Sequence, residues 1–111
     1  MAMVVKRFEV WLVDLNPVIG GEISKTRPCL VISPDEVNRA LSTVTVAAMT
    51  SVIRSNYPHR VTCIFQYKSG QIALDHIRSL SKLRLIKRLG TMDEKTCRQV
   101  CETLIELFSF E

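Results

Sequence analysis

Thr91-Met92-Asp93-Glu94-Lys95-Thr96-Cys97-Arg98-Gln99-Val100-Cys101-Glu102-Thr103-Leu104-Ile105-Glu106-Leu107-Phe108 closes the chain with its clearest helical period. Cys97, Val100, Cys101, Leu104 and Phe108 recur at the spacing of one helix face. Thr91 with Glu94 three residues on has the form of a capping box, which predicts Thr91 as the N-cap. The final turn is apolar nearly all round, with Leu104, Ile105, Leu107 and Phe108 followed by Phe110. One sheet face cannot cover that much surface, so a second contact such as a dimer partner is expected.

Upstream of this helix the pattern is that of strands. Phe8 to Leu15 is rich in β-formers and is broken by Asn16-Pro17. Asn16 to Thr26, with Pro17, Gly20 and Gly21, reads as a mobile loop. Pro28 forces Arg27 to be extended, and Cys29 to Ser33 follows as a short buried strand. A helical turn is expected at Glu36 to Leu41. Further strands are expected at Thr43 to Met49, Val61 to Phe65 and Gln71 to Leu74, the last preceded by a turn at Lys68-Ser69-Gly70. His76 to Leu80 continues the β pattern, and Lys82 to Leu89 fits either a strand or a short helix. The expected fold is mainly β: a small barrel of short strands decorated by a C-terminal α-helix, since closure removes exposed edges.

The 111 residues suffice for one core, so residues 1–111 are expected to form a single domain. With 47% hydrophobic and 23% charged residues the chain has the balance of a folded globular protein, which excludes global disorder. No apolar run approaches the roughly 20 residues of a membrane helix, and no apolar stretch follows Lys6-Arg7 as in a secretory signal. The four cysteines, Cys29, Cys63, Cys97 and Cys101, form no CxxC pair and are expected as reduced thiols in the cytoplasm. Cys97 and Cys101 share a helix face, which suits either half of a metal site or simple packing. The net charge of +4 is unevenly spread. Residues before Thr91 carry 13 basic and 6 acidic side chains, and Ile77 to Leu89 holds Arg78, Lys82, Arg84, Lys87 and Arg88 with no acid. A basic body suits a polyanion, or is merely a solvated surface.

Phosphate-binding loops, dinucleotide fingerprints, zinc-protease and serine-hydrolase motifs are all missing. Polar residues at strand ends remain. Arg27 lies where the loop meets a strand, Thr50 and Ser51 follow another, and Asp75, His76 and Arg78 lie together. The planar guanidinium donates two parallel hydrogen bonds to phosphate, and a neighbouring hydroxyl can add a third. For Arg27 alone, a surface ion pair is the plainer reading.

These residues also carry a resemblance. Val10-Trp11-Leu12-Val13-Asp14-Leu15-Asn16-Pro17, Gly20-Gly21-Glu22 and Lys25-Thr26-Arg27-Pro28-Cys29-Leu30-Val31-Ile32-Ser33 together look like the opening of the MazF/PemK family of toxin endoribonucleases. Val46 to Ser51 and Leu74 to Leu85 resemble its second and third blocks, and the likeness runs from Phe8 to Phe108. It implies an SH3-like barrel of the CcdB/PemK type, a homodimer, and a cognate antitoxin with an extended acidic segment. It also implies cleavage of single-stranded RNA at a short sequence, without metal or other cofactor, leaving 2′,3′-cyclic phosphate and 5′-OH ends. On this resemblance Arg27 and Thr50 are the catalytic pair.

Position 76 is His where many relatives have Gln, and an imidazole could transfer a proton or read a base edge. Ser51, Asp75 and His76 are therefore candidates for catalysis or base reading. In a regular strand Leu74, His76 and Arg78 share one face and Asp75 lies on the other, unless a bulge intervenes. Lys25, Tyr57, Arg78, Lys82 and Arg84 are the candidate RNA contacts, with Tyr57 and His59 suited to stacking or to packing. The Asn16 to Thr26 loop either closes over RNA or only connects strands. The competing functions are a non-catalytic relative, RNA-binding or topoisomerase-inhibiting like CcdB, and a structural barrel with no salt-dependent RNA affinity.

Overall fold

The computed structural model describes residues 3–16, 20 and 25–110. Six strands build one antiparallel sheet: β1 (Glu9–Asp14), β2 (Thr26–Val31), β3 (Thr43–Thr50), β4 (Arg60–Phe65), β5 (Lys68–Ser81) and β6 (Leu85–Thr91), in the order β4-β5-β3-β2-β1-β6. A short helix α1 (Asp35–Ala40) joins β2 to β3. A 3₁₀ turn at Lys82–Arg84 leads into β6, and α2 (Glu94–Phe108) ends the chain. The fold is mainly β with a C-terminal helix, as expected. No helix among the described residues is long and apolar enough to cross a membrane.

Strand alternation sends apolar side chains to both faces of the sheet. Val10, Leu30, Ala47, Met49, Ile72 and Leu74 pack on one side with Met92, Cys97 and Val100 of the α2 region. Trp11, Val13, Cys29, Val31, Val44, Val46, Ala48 and Leu80 form the core of the other. The sheet curls so that its edge strands approach. Gln66 Nε2 donates to Leu89 O at 2.9 Å, and the Phe65 ring lies so close over Gly90 that a Cβ there would meet it at 3.1 Å. These side-chain contacts join β4 to β6 where no backbone ladder does.

Pro28 sits inside β2 rather than before it. It pairs with Leu12 of β1, and the ladder to β3 begins only at Cys29, so the missing N–H falls outside that ladder. Lys68-Ser69-Gly70 is strand and not turn; the turn is Gln66-Tyr67, between the paired Phe65 and Lys68.

The largest departure from period two lies in β5. Ala47 of β3 pairs with Ile77, while the next residue, Ala48, pairs with Ala73. Leu74, Asp75 and His76 thus bulge out of the ladder and reverse the side-chain alternation beyond them. Ile72, Leu74 and Leu80 would share one face of a regular strand. Instead Ile72 and Leu74 join the core under α2, and Leu80 joins the opposite one. Leu74 and Arg78 therefore do not share a face, and the bulge is the reason.

The N-cap of α2 is Asp93, not Thr91. Its carboxylate accepts the Thr96 N–H at 2.9 Å and the Thr96 hydroxyl. Thr91 still belongs to β6, paired with Glu9, and Met92 is buried with its N–H on Phe8 O. The helix can start only after these contacts are made. The Thr96 N–H holds the Asp93 carboxyl below its ordinary range. Asp93→Ala is expected to lower stability by about 1 kcal/mol. Because the folded-state pKa is depressed, the same contribution is present above the ordinary carboxylate pKa and fades as pH falls through the folded value. Urea unfolding of both proteins at pH 7 and in acid checks this: the gap should narrow in acid.

Candidate active site

Arg27 is the second residue of β2, paired with Val13 of β1. The β2–β3 register joins Cys29 to Ala48. Carried two residues further, it sets Arg27 opposite Thr50, the last residue of β3. Both line a cleft of about 310 Å³ together with Ser51, Pro28, Gly70 and Gln71. The guanidinium is half-buried, and its Nε is out of solvent with no hydrogen-bond partner among the described residues. A buried charged donor without a partner is costly, and an anion placed on it would remove that cost.

Thr50 is held from two sides. Its Oγ1 accepts the Val52 N–H at 3.1 Å, which leaves the hydroxyl hydrogen free to be donated into the cleft. Gly70 presses on its backbone: a Cβ at position 70 would lie 2.6 Å from the Thr50 carbonyl oxygen. Next to it the buried Gln71 accepts the Arg54 N–H at 3.0 Å and so anchors the segment after β3. Lys68 and Gly70 are cleft residues that sequence reasoning missed because it assigned positions 68–70 to a turn; Gln71, expected as the start of a strand, was not singled out.

The bulge in β5 builds a second depression of about 190 Å³, in which Asp75, His76 and Arg78 meet over Leu15, Val46, Ala48 and Ile77. The alternative held open for a bulge is therefore the one realised: Asp75 and His76 line the same hollow. Alternate residues Val46 and Ala48 of β3 line this hollow, and Met49 and Thr50 line the first, so the two adjoin along one strand. Arg60 holds Asp75 with two hydrogen bonds, of 2.8 and 3.0 Å. His76 Nε2 lies 3.6 Å from the same carboxylate. Burial alone would raise the Asp75 pKa, but the bonds and charge of Arg60 outweigh it and hold the carboxyl below its ordinary range. Asp75 is thus an ionised acceptor at neutral pH.

The remaining candidates lie around these hollows. Tyr57 is exposed between two guanidinium groups, with Arg60 4.8 Å and Arg54 5.5 Å from the ring centre. Lys25 is exposed at the edge of the loop, with its N–H on Asn16 Oδ1 at 3.1 Å. Residues 17–19 and 21–24 of that loop, on which its proposed closure depends, lie outside the described residues. Arg78 donates to Leu15 O at 3.0 Å. Arg84 donates to Asp14 O at 3.2 Å and to Asn16 O, and Lys82 donates to Asn38 O. Arg78 and Arg84 therefore tie the end of β1 beside the second hollow, and Lys82 ties α1.

Burial pushes the Cys29 thiol up to about 12, against the charge of Arg78, and the Cys97 thiol up to about 11. Both are protonated at neutral pH and packed in the two cores. Cys101 is half-buried and takes a contact from Arg7 Nη2 at 3.7 Å.

Three kinds of likeness accompany this geometry. The profile of the family described as PemK-like, MazF-like toxin of type II toxin–antitoxin system matches residues 6–108. Endoribonuclease EndoA of Bacillus subtilis is 36% identical over 107 residues, covering 92% of each chain. Endoribonuclease MazF9 of Mycobacterium tuberculosis is 31% identical over 108 residues, covering 89% of this chain and 92% of that protein. Among solved structures, MazF from Deinococcus radiodurans superposes with a TM-score of 0.83 at 26% identity, over 98% of this chain and 100% of that one. A mycobacterial endoribonuclease in complex with its cognate antitoxin shares the fold, with a TM-score of 0.80 at 22% identity over 96% and 97% of the two chains.

Proposed function

The chain belongs to the PemK-like, MazF-like toxins of type II toxin–antitoxin systems and is a toxin endoribonuclease; from that premise we propose that it cuts single-stranded RNA in the Arg27–Thr50 cleft, without a metal. The observation that carries this is the half-buried guanidinium with an Nε unpartnered among the described residues, set across from a hydroxyl that accepts the Val52 N–H and keeps its own hydrogen to donate. Together they offer directed donors to the oxygens of one phosphodiester.

The ribose 2′-OH attacks the adjacent phosphorus. The O2′–P bond forms, the P–O5′ bond breaks, the O2′ proton passes to solvent water and O5′ gains one. The ends are a 2′,3′-cyclic phosphate and a 5′-OH. Arg27 stabilises the charge that builds on the non-bridging oxygens and can protonate the leaving O5′. A guanidinium is too rarely deprotonated to serve as the base. Thr50 donates to the same phosphate and is not a nucleophile, since no general base lines the cleft beside it among the described residues. Ser51 adds a hydroxyl at the cleft mouth. In the second hollow Asp75 and His76 face the neighbouring nucleotide, Asp75 as an acceptor for base amino groups. Lys25, Tyr57, Arg78, Lys82 and Arg84 supply charge and stacking along the strand.

The partner on this reading is a cognate antitoxin whose extended acidic segment covers the basic surface and displaces RNA. The exposed Ile105 and Phe108 at the end of α2 fit a homodimer. The work is done in the cytoplasm, with the RNA.

Incubating the purified protein with a long single-stranded RNA in EDTA tests the chemistry. Discrete cuts are expected at undiminished rate, with cyclic-phosphate and 5′-OH termini by mass. Cleavage that EDTA abolishes, or 5′-phosphate ends, would overturn it.

A further inference from the structure

Only Gln66 and Tyr67 separate the paired residues Phe65 and Lys68 at the turn between β4 and β5. Both have left-handed backbone, with φ of 51° and 65°. Such a two-residue hairpin suits Asn and Gly, because a long side chain on a residue of positive φ crowds its own backbone. A glutamine followed by a tyrosine is a poor choice for folding. Packing does not explain the tyrosine either, since it is fully exposed, at 102% of its reference area. The turn is nonetheless fixed in place. Gln66 Nε2 is bonded to Leu89 O, and the Phe65 ring rests on Gly90. Gln66 and Lys68, on either side of the tyrosine, both line the Arg27–Thr50 cleft. A strained, solvent-facing aromatic is thereby held at the rim of the site, beside a lysine.

We propose that Tyr67 is a stacking platform for an unpaired nucleobase of the RNA strand whose phosphate lies in the Arg27–Thr50 cleft. A ring with two torsions loses little freedom on stacking, and every base offers it a face. Lys68 supplies charge for the adjoining phosphate. The inference rests on the ribonuclease reading and adds to it a residue that positions the substrate.

Tyr67→Asn tests it, because asparagine accepts the left-handed backbone that tyrosine strains. Thermal stability should rise by a few degrees while KM for single-stranded RNA rises about tenfold and kcat stays within about twofold. Tyr67→Phe should keep the KM of the parent protein. An abasic nucleotide at one position beside the cut should raise the parent's KM by the same factor and leave that of Tyr67→Asn unmoved. An unchanged KM in Tyr67→Asn overturns the proposal, as does a KM in Tyr67→Phe as high as in Tyr67→Asn. Normal RNA kinetics with lost inhibition by the antitoxin would assign the ring to a protein interface instead. If the parent protein cuts no RNA, the ribonuclease reading falls first, and this inference with it.

Discussion

Arg27→Ala should lower the single-turnover cleavage rate about 100- to 1,000-fold and leave the fold intact. Two features of the site set this expectation. The guanidinium is held half-buried at the second position of β2, between β1 and β3, so it is placed before substrate arrives. Its Nε also has no partner among the described residues, so truncation breaks no hydrogen bond of that nitrogen that the fold depends on. Most of the loss should fall on kcat, because the donors matter most when charge builds on the phosphate oxygens. Arg27→Lys keeps a cation but loses the planar fork and should recover only part of the rate. Rapid-quench kinetics with thermal unfolding of each variant would decide it. Cleavage within a few-fold of normal, or a variant that does not fold, would sink the assignment.

Gly70→Ala should cost about 100-fold in the same assay although residue 70 contributes no side chain to the chemistry. The added Cβ would stand 2.6 Å from the Thr50 carbonyl oxygen. That oxygen belongs to the backbone and cannot rotate away, and Thr50 is pinned by its pairing with Gln71. Relief must come from moving the end of β3, which carries the hydroxyl with it. A displacement of about 1 Å at a reacting group is enough for a loss of this size. Overpacking of this kind also lowers stability by about 1–3 kcal/mol. A normal rate and an unchanged unfolding midpoint in Gly70→Ala would show that the strands part without disturbing Thr50.

The two predictions differ in what the sequence discloses. Arg27 and Thr50 stand out as polar residues at strand ends, and their resemblance to family motifs is the source of the roles proposed for them. Gly70 does not stand out. Beside Ser69 it reads as a turn, because nothing local signals that Lys68 already pairs with Phe65 across the hairpin. Two residues of unfavourable type, Gln66 and Tyr67, make that turn, so residue preferences point away from it. The N-cap of α2 is displaced for a related reason. Thr91 and Glu94 match a capping box, but β6 claims Thr91 for its ladder to Glu9, and the cap passes to Asp93.

By itself the sequence determined the class of fold, through runs of β-formers and one helical period, and the basic character of the body. Apolar periodicity and charge are local properties that burial reads out directly. It also marked Arg27 and Thr50 as the candidate pair, through their likeness to family motifs. Only the tertiary structure decided which side chains meet. The bulge at Leu74, Asp75 and His76 inserts three residues against adjacent residues of β3, reverses the alternation of β5, and brings Asp75, His76 and Arg78 into one hollow. Strand register is set by pairing between segments far apart in the chain, where one inserted residue turns every later side chain to the other face. A count along the sequence has no access to that partner.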